Sequence, residues 1–382
     1  MRFDIKLSRG YNSRRHNGNG FSGKSKNMNI LIYGGGAVGL GLASCLLKSR
    51  TQADILARPA TVQALRKNGL KRTGIFGNYY AEPSEFGSFT MLEEIQGRQY
   101  DYILVCTKSF DSQHAVKDLY EHISIFTTGT KIVLSQNGWG NAEEFLSFFD
   151  KGIIYNARII TGFQRPSLNE VTVTVHADSI HIGSLFGCDL SAVEKLCTAI
   201  NDGDIPCITT NLIGRDIWAK MLYNCALNPL GAVLEVPYGV LARYEPTRII
   251  MNGIVEEVFT VMKKAGYGTH WDSAGDFLEV FYDKLVPDTA EHKSSTLQDI
   301  AAGKPTEIDV EPLRDHLRAE EDVDLSALHA LEDALVRPFP RCRVDVHPSD
   351  ACPRKRLGGH ALDLLGPEPP VRQVRGAAAG AP

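Results

Sequence analysis

The chain lacks the features that would place it in a membrane, on nucleic acid or around a metal ion. No apolar run approaches the roughly 20 residues that cross a bilayer. The net charge of −4 provides no basic excess for nucleic acid or an acidic membrane surface. The eight cysteines show no C-x-x-C pair and no metal-ligand spacing, so we expect reduced thiols in a cytoplasmic protein. No metal, nucleic-acid or membrane partner is therefore expected.

Length and composition predict a globular protein of two domains with two atypical ends. A chain of 382 residues, 43% hydrophobic and 23% charged, can bury a core in each of two domains. Residues 1–27 are basic and show neither helical nor strand periodicity, which favours a disordered leader, with an organellar targeting segment as the alternative. Residues 311–382 hold nine arginines against one lysine and many prolines, which predicts a disordered tail.

A glycine-rich turn near the start of the folded part carries the first functional signal. Ile30 to Tyr33 is an apolar run typical of a buried strand, and an apolar helical pattern begins soon after it. A G-x-G-x-x-G turn at such a junction provides a tight bend, close approach of a pyrophosphate and close packing of the helix. The N–H groups and the dipole at the start of that helix favour phosphate. The candidate cofactor-binding residues here are Gly34, Gly35, Gly36, Ala37, Val38 and Gly39.

The end of the second predicted strand, Ala53 to Ala57, distinguishes between the two nicotinamide cofactors. An acidic residue at this point binds the ribose 2′-hydroxyl of NAD, whereas an arginine suits the 2′-phosphate of NADP. Arg58 follows the strand, so we predict NADP(H) as the cofactor. Asp54 lies near the beginning of the strand and is expected to be structural.

Two further strands end in polar side chains. Asp101 to Thr107 precedes Lys108, and Lys131 to Gln136 precedes Asn137. Ligands of open α/β sheets bind beyond the carboxyl ends of the strands, which makes both residues candidates for the site. Lys108 could equally be an exposed loop lysine, and Asn137 could equally be a turn-forming asparagine before a glycine. A later stretch, residues 170–184, alternates apolar and polar residues and is expected to be one hairpin arm or edge strand.

From Leu212 onward the pattern changes to long helices, which predicts a domain boundary near residue 210. Lys220, Asn224 and Asn228 are four residues apart and share one helix face. A polar file on an otherwise apolar helix is either buried and hydrogen-bonded or lines a cleft. Pro229 predicts a bend or interruption there, and residues 235–244 are expected to form a turn.

These motifs together resemble the ketopantoate reductase family (2-dehydropantoate 2-reductase), over a stretch from about Met28 to Asp309. The matching segments are GGGAVG at residues 34–39, TK at 107–108, QNG at 136–138, K-x-x-x-N-x-x-x-N-P-L at 220–230, H-x-S-S-x-L-Q-D-I at 292–300 and T-E-I-D at 306–309. The last three of these segments, in this order and spacing, are specific to the family.

The resemblance implies an α/β fold in which an N-terminal Rossmann-type domain, residues 28–210, is followed by an all-α C-terminal domain, residues 211–310. The active site would lie between them. The implied activity is NADPH-dependent reduction of 2-dehydropantoate to (R)-pantoate, a step of pantothenate and coenzyme A biosynthesis, with a homodimer as a candidate assembly. The alternatives are a related NADPH-dependent reductase of another 2-oxo acid and an NADP-binding protein without turnover.

The resemblance also implies residue roles. Lys220 would be the general acid, because a ketone that accepts hydride becomes an alkoxide, which a lysine ammonium can stabilise and protonate. Glu307 would hold the substrate and support the proton network. Substrate contacts would come from Asn137, Asn224, Asn228 and Ser295, and NADPH contacts from Arg58, Lys108 and Asn137.

Each role has a structural alternative: a lysine reaching water along the helix for Lys220, a helix cap for Ser295 and a first-turn carboxylate for Glu307. The sequence departs from the family at three places, the first being the basic leader, residues 1–27, which lies outside the resemblance. Tyr238 stands near the position of an expected asparagine, and the residues from Val310 onward match no family segment.

Overall fold

The structure, a computed structural model, describes residues 28–306. The predicted leader, the predicted tail and Glu307 lie outside the described residues. The strands are β1 (Asn29–Tyr33), β2 (Gln52–Leu56), β3 (Leu70–Gly74), β4 (Tyr79–Ala81), β5 (Ser88–Phe89), β6 (Tyr100–Val105), β7 (Phe126–Leu134), β8 (Ile154–Arg158), β9 (Thr161–Ser167), β10 (Glu170–His176), β11 (Ile180–Gly183) and β12 (Cys207–Thr209). The helices are α1 (Ala37–Lys48), α2 (Pro59–Asn68), α3 (Ser112–Glu121), α4 (Asn141–Leu146), α5 (Ser191–Asp202), α6 (Ile213–Val233), α7 (Tyr238–Leu241), α8 (Glu245–Lys264), α9 (Ala274–Val280), α10 (Val286–Asp288) and α11 (Ser295–Ala301).

The larger sheet has the order β12-β11-β8-β7-β6-β1-β2-β5, with β1 between β6 and β2. The strands from β8 to β5 pair in parallel, and β11 runs antiparallel to β8. The order β5-β2-β1-β6-β7-β8 is that of a doubly wound dinucleotide-binding sheet. Helices cover both faces, so β1 is apolar at every buried position. Ile30 and Ile32 join the core beneath α1 and α5, while Leu31 and Tyr33 join the core beneath α3 and α4.

A second, smaller sheet has the order β4-β3-β10-β9. The prediction of one strand over residues 170–184 is therefore wrong. β10 belongs to the small sheet and pairs with β3 and β9, whereas β11 belongs to the large sheet and pairs with β8 and β12. Both strands alternate apolar and polar residues, so the periodicity alone does not show that the chain passes from one sheet to the other between them.

The helical part of the described chain packs around α6. Its core contains Trp218, Leu222 and Ala226 of α6 together with residues of α8 and α9. The predicted interruption at Pro229 is wrong, since α6 continues to Val233. A proline inside a helix removes one backbone hydrogen bond, and burial of the surrounding apolar residues of α6 offsets that loss. The predicted turn at residues 235–244 contains the short helix α7. None of the helices within residues 28–306 is long and apolar enough to cross a bilayer.

Candidate active site

The glycine turn between β1 and α1 has the geometry that the motif requires. Gly34 has φ +118°, and a Cβ at this residue would lie 2.9 Å from the carbonyl carbon of Cys106. A Cβ on Gly39 would collide with the carbonyl oxygen of Gly34, so this glycine permits close packing of α1. Gly36 has open space, because its nearest neighbour to a Cβ would be the Cys106 oxygen at 4.0 Å. The turn therefore combines a tight bend with an accessible backbone.

The start of α1 suits an anion. Gly36 precedes the helix, and the first intrahelical bond runs from Leu40 N to Gly36 O at 2.9 Å. The N–H groups of Ala37 and Val38 lie before that bond and point out of the helix end. The first turn of α1 contains no acidic residue that would compete for these groups. Together with the open space beside Gly36, this cradle fits the pyrophosphate of a dinucleotide.

Two arginines flank the glycine turn. Arg58 is exposed at the end of β2 and precedes the first residue of α2. Arg165 of β9 donates from Nη1 to the carbonyl oxygen of Gly35 at 2.7 Å. Burial lowers the pKa of Arg165, and the nearby positive charge of Arg58 lowers it further. The sequence predicted Arg58 and missed Arg165, because nothing in the alternating pattern of β9 indicates which loop the second sheet approaches.

Asp54 is structural, as predicted. Its carboxylate accepts hydrogen bonds from Gly87 N at 2.7 Å, from Arg98 Nη1 at 2.6 Å and from the Tyr100 hydroxyl at 2.7 Å. Asp54 is buried in the middle of β2, and its side chain ties this strand to β6 and to the segment before β5.

Asp54→Asn should therefore destabilise the protein without changing its choice of cofactor. The loss of a hydrogen-bonded buried carboxylate is expected to lower the free energy of unfolding by about 1–3 kcal/mol. Urea unfolding and the Kd values of NADPH and NADH measure the two effects separately. A shift in the NADPH/NADH preference without a loss of stability would instead place Asp54 at the ribose.

Lys220 of α6 reaches the carboxyl ends of two strands in the other domain. Its Nζ donates to Asn137 Oδ1 at 2.7 Å and to the carbonyl oxygen of Ile159 at 2.6 Å. Asn137 follows β7, and its own carbonyl oxygen accepts from Asn141 Nδ2 at 2.9 Å, which fixes the loop. The structure thus brings two predicted site residues together across the domain boundary, with the ammonium half-buried.

A small cavity lies beside this ammonium, between α6 and the ends of β7 and β8. Its volume is about 20 Å³, which is room for about one water molecule. Asn224, one turn beyond Lys220, also lines it, so the predicted polar face of α6 does border a cleft. The complete lining among the described residues is Gln136, Asn137, Gly138, Ala157, Arg158, Ile217, Lys220, Met221 and Asn224.

Lys108 also spans the two domains. Its Nζ donates to Asp299 Oδ2 of α11 at 2.8 Å. Gln136, which lines the cavity, donates from Nε2 to the Ser112 hydroxyl at 2.8 Å and to the Thr107 hydroxyl at 3.2 Å. Lys108 is therefore at the predicted strand end, and its described partner is an aspartate of the helical domain.

Asn228 and Ser295 do not line the cavity in this structure. Asn228 Oδ1 accepts from the Tyr238 hydroxyl at 2.6 Å, and its carbonyl oxygen accepts from the Ser294 hydroxyl at 3.2 Å. The residue that caps α11 is Ser294, whose hydroxyl accepts from Leu297 N, so the alternative role of Ser295 as the cap is wrong. Ser295 is exposed and lies one turn before Asp299, on the side of α11 that faces Lys108.

A buried ionic cluster joins the first turn of α6 to the sheet. Asp216, one turn before Lys220, accepts from His270 Nε2 at 2.7 Å and lies 2.8 Å from His181 Nδ1 of β11. Burial raises the pKa of Asp216, but hydrogen bonds from His181 and His270 outweigh it and hold this pKa well below its ordinary value. The cluster therefore fixes the part of α6 that carries the lysine.

Asp216→Asn should reduce stability in a pH-dependent way. The folded-state pKa of Asp216 is below its unfolded value of about 3.9, so its stabilisation is complete above about pH 5 and is lost progressively as the pH falls from there toward the folded-state pKa. We expect the free energies of unfolding of wild type and variant to differ by about 1–3 kcal/mol at pH 7 and by less at pH 3. Urea unfolding across this range measures the difference; an equal gap at both ends would contradict the role.

The fold and the site together define a class of protein. A dinucleotide-binding sheet whose strand ends face a half-buried lysine from a helical domain is a nicotinamide-dependent oxidoreductase of two domains. A family model described as ketopantoate reductase PanE/ApbA matches residues 30–187, and the model of its C-terminal part matches residues 213–311. The chain belongs to the PanE/ApbA ketopantoate reductase family, whose members are pyridine-nucleotide-dependent reductases.

Individual relatives agree with this assignment. The 2-dehydropantoate 2-reductase of Aquifex aeolicus is 34% identical over 283 residues, which cover 74% of this chain and 87% of the relative. A crystal structure of 2-dehydropantoate 2-reductase from Geobacter metallireducens has a TM-score of 0.65 at 27% identity and covers 81% of this chain and 99% of its own. D-mandelate dehydrogenase, in a ternary structure with NADH and anilino(oxo)acetate, has a TM-score of 0.65 at 20% identity and 81% and 99% coverage, which shows a shared fold.

Proposed function

We propose that this chain is an NADPH-dependent 2-dehydropantoate 2-reductase that forms (R)-pantoate on the route to coenzyme A. The observation that carries the proposal is the position of the Lys220 ammonium, held by Asn137 and Ile159 at the carboxyl ends of β7 and β8, on the same edge of the sheet as the glycine turn. The names of the similar Aquifex and Geobacter proteins support the same substrate. The proposed domains are residues 28–210 for the cofactor and 211–310 for the substrate.

Lys220 acts where negative charge develops. NADPH, when bound, supplies the hydride that reaches C2 of the 2-oxo acid. The oxygen on that carbon gains negative charge, and the Lys220 ammonium stabilises it and transfers a proton to complete the hydroxyl. Asn137 and the Ile159 carbonyl hold Nζ in place, so the donor requires little reorganisation during the reaction. Glu307, outside the described residues, is proposed to support the proton supply.

The choice of NADPH over NADH rests on the two arginines beside the glycine turn. Arg58 is exposed at the end of β2, where the ribose of a bound dinucleotide lies in this fold. Arg165 contacts the turn itself, and Asp54, which could have bound a 2′-hydroxyl, is committed to other partners. Two guanidiniums without a nearby carboxylate from β2 suit a 2′-phosphate.

The remaining predicted residues keep their proposed roles in the substrate and cofactor sites. Asn224 lines the cavity and can bind the substrate directly, with Asn137 on the opposite side. Asn228 and Ser295 would reach the substrate after local rearrangement, and Lys108 would contact the cofactor beside Asp299. Met221 also lines the cavity, and its flexible side chain can adapt to the substrate.

One observation favours a second candidate, a reductase of another 2-oxo acid. Tyr238 stands near the position where the family resemblance predicts an asparagine. Its hydroxyl donates a hydrogen bond to Asn228 Oδ1 at 2.6 Å. A tyrosine in place of the family's asparagine would remove one of the family's substrate contacts. Both candidates share the cofactor, the lysine and the chemistry, so they differ only in the substrate with the highest kcat/KM.

The experiment follows NADPH absorbance with the full chain, 2-dehydropantoate and a panel of other 2-oxo acids. The highest kcat/KM for 2-dehydropantoate is the expected result, and a higher value for another acid would select the second candidate. Tight NADPH binding with no oxidation by a folded preparation would select an NADP-binding protein without turnover. Light scattering of the same preparation measures the assembly, for which a homodimer is proposed, and cell fractionation measures the proposed cytoplasmic location.

A further inference from the structure

A second cationic side chain, Arg158, lines the cavity beside Lys220. Among the described residues that line it, the charged side chains are Lys220 and Arg158, and the others are amides, glycine or apolar groups. None of the described residues that line the cavity is a carboxylate. The two positive charges therefore favour an anionic ligand. A 2-oxo acid carries one full negative charge, on the carboxylate next to its ketone. Lys220 is assigned to the ketone oxygen, which leaves Arg158 opposite the carboxylate.

Arg158 occupies a position from which it can serve the same substrate as Lys220. It is the last residue of β8, and the next residue, Ile159, provides the carbonyl oxygen that holds Lys220 Nζ at 2.6 Å. β8 lies beside β7, whose end leads to Asn137. The side chain of Arg158 is only 6% exposed, so a charge that meets it does so in a poorly solvated environment. The distance between a ketone oxygen and the neighbouring carboxylate of a 2-oxo acid is short enough for both cations to act on one molecule.

An ion pair with Asp178 fixes the orientation of the Arg158 guanidinium. Arg158 Nη2 donates to Asp178 Oδ2 at 2.9 Å, whereas His181 Nδ1, 2.7 Å from the same Nη2, donates to Asp216 and is therefore not an acceptor for the guanidinium. Arg158 lines the cavity, and within residues 28–306 no hydrogen bond engages its Nε or Nη1, so both groups are available to a ligand. Asp178 is 44% exposed, so water screens much of its charge. Asp216, the other acid of the cluster, is bonded to His181 and His270.

We propose that Arg158 binds the carboxylate of the 2-oxo acid and thereby selects acids over neutral ketones. The inference rests on the proposed function and adds a substrate-binding residue to it. A planar guanidinium can present two parallel N–H groups to a carboxylate, whereas Asn137 and Asn224 are neutral and cannot offset its charge. Asp178 acts as a positioning residue that holds the guanidinium through Nη2.

The test compares the binding of pantoate and of its neutral amide to the full chain saturated with NADP⁺, by calorimetry, in wild type, Arg158→Gln and Arg158→Lys. Loss of a charge-assisted pair should weaken pantoate binding roughly 30- to 1,000-fold in Arg158→Gln while leaving the amide nearly unaffected. Arg158→Lys, which keeps the charge but loses the fork, should give an intermediate loss and keeps the test available if the glutamine variant does not fold. Asp178→Asn should weaken pantoate binding less than Arg158→Gln.

The result that would overturn the inference is an equal loss for the acid and the amide, which indicates a structural role, or unchanged pantoate binding. Because binding is measured without turnover, this outcome is separate from failure of the proposed reductase activity. In an active enzyme, Arg158→Gln should raise KM for 2-dehydropantoate far more than it lowers kcat, and added guanidinium ion should partly restore kcat/KM.

Discussion

Lys220→Ala is expected to lower kcat for 2-dehydropantoate by about 10²- to 10⁴-fold, the usual contribution of a positioned general acid. The variant removes the ammonium that Asn137 and the Ile159 carbonyl direct to the cavity, so the forming alkoxide loses both its electrostatic stabilisation and its proton donor. NADPH affinity should be unchanged, because the glycine turn and the two arginines beside it lie on the other domain. Steady-state rates and NADPH fluorescence titration measure the two quantities.

Lys264→Ala is a matched control for that substitution. Lys264 is an exposed lysine at the end of α8, so its removal changes net charge by the same amount without touching the cavity. Its kcat should equal that of wild type. Normal turnover in Lys220→Ala, or an equal loss in both variants, would remove Lys220 from its proposed role.

The double variant Arg58→Ala/Arg165→Ala is expected to weaken NADPH binding strongly and NADH binding little. A charge-assisted hydrogen bond is worth about 1.5–3 kcal/mol, so each arginine that meets the 2′-phosphate should contribute roughly 10- to 150-fold in Kd. NADH lacks this phosphate and should bind with nearly the same affinity to wild type and variant. Fluorescence titration with both cofactors gives the ratio, and the two single variants show how the effect divides.

Lys67→Ala is the control for general electrostatics. Lys67 is exposed near the end of α2, the helix that follows Arg58. Its replacement by alanine removes one positive charge from the same domain. If Lys67→Ala weakens NADPH binding as much as Arg58→Ala does, the arginines act through net charge alone. If NADPH and NADH lose affinity equally in the double variant, neither arginine meets the 2′-phosphate.

The features that the sequence revealed are those determined by local chemistry. The strand, glycine turn and helix at residues 29–48 need only the conformational freedom of Gly34 and the small size of Gly39. The polar face of α6 follows from helical periodicity, and Lys220 and Asn224 do border the cavity. In both cases the side chains that define the feature lie within a few turns of one another.

The features that remained hidden depend on contacts distant in the sequence. Arg165 meets the glycine turn because β9 belongs to a second sheet, and Arg158 enters the cavity because β8 lies next to β7. Neither pairing leaves a trace in the periodicity of the strands. Lys108 donates to Asp299, 191 residues further along the chain, and only the folded arrangement of the domains could reveal this contact. The cap of α11 is Ser294 and not Ser295, and the sequence offers no means to choose between two adjacent serines.

The most direct test of the central claim is the distance between Lys220 Nζ and the C2 hydroxyl oxygen of pantoate, in a crystal structure of the full chain with NADP⁺ and pantoate. We predict a hydrogen bond of about 2.7–3.2 Å between these two atoms. A complex in which this ammonium stays beyond about 4 Å, while another group of the chain donates to that oxygen, would contradict the account.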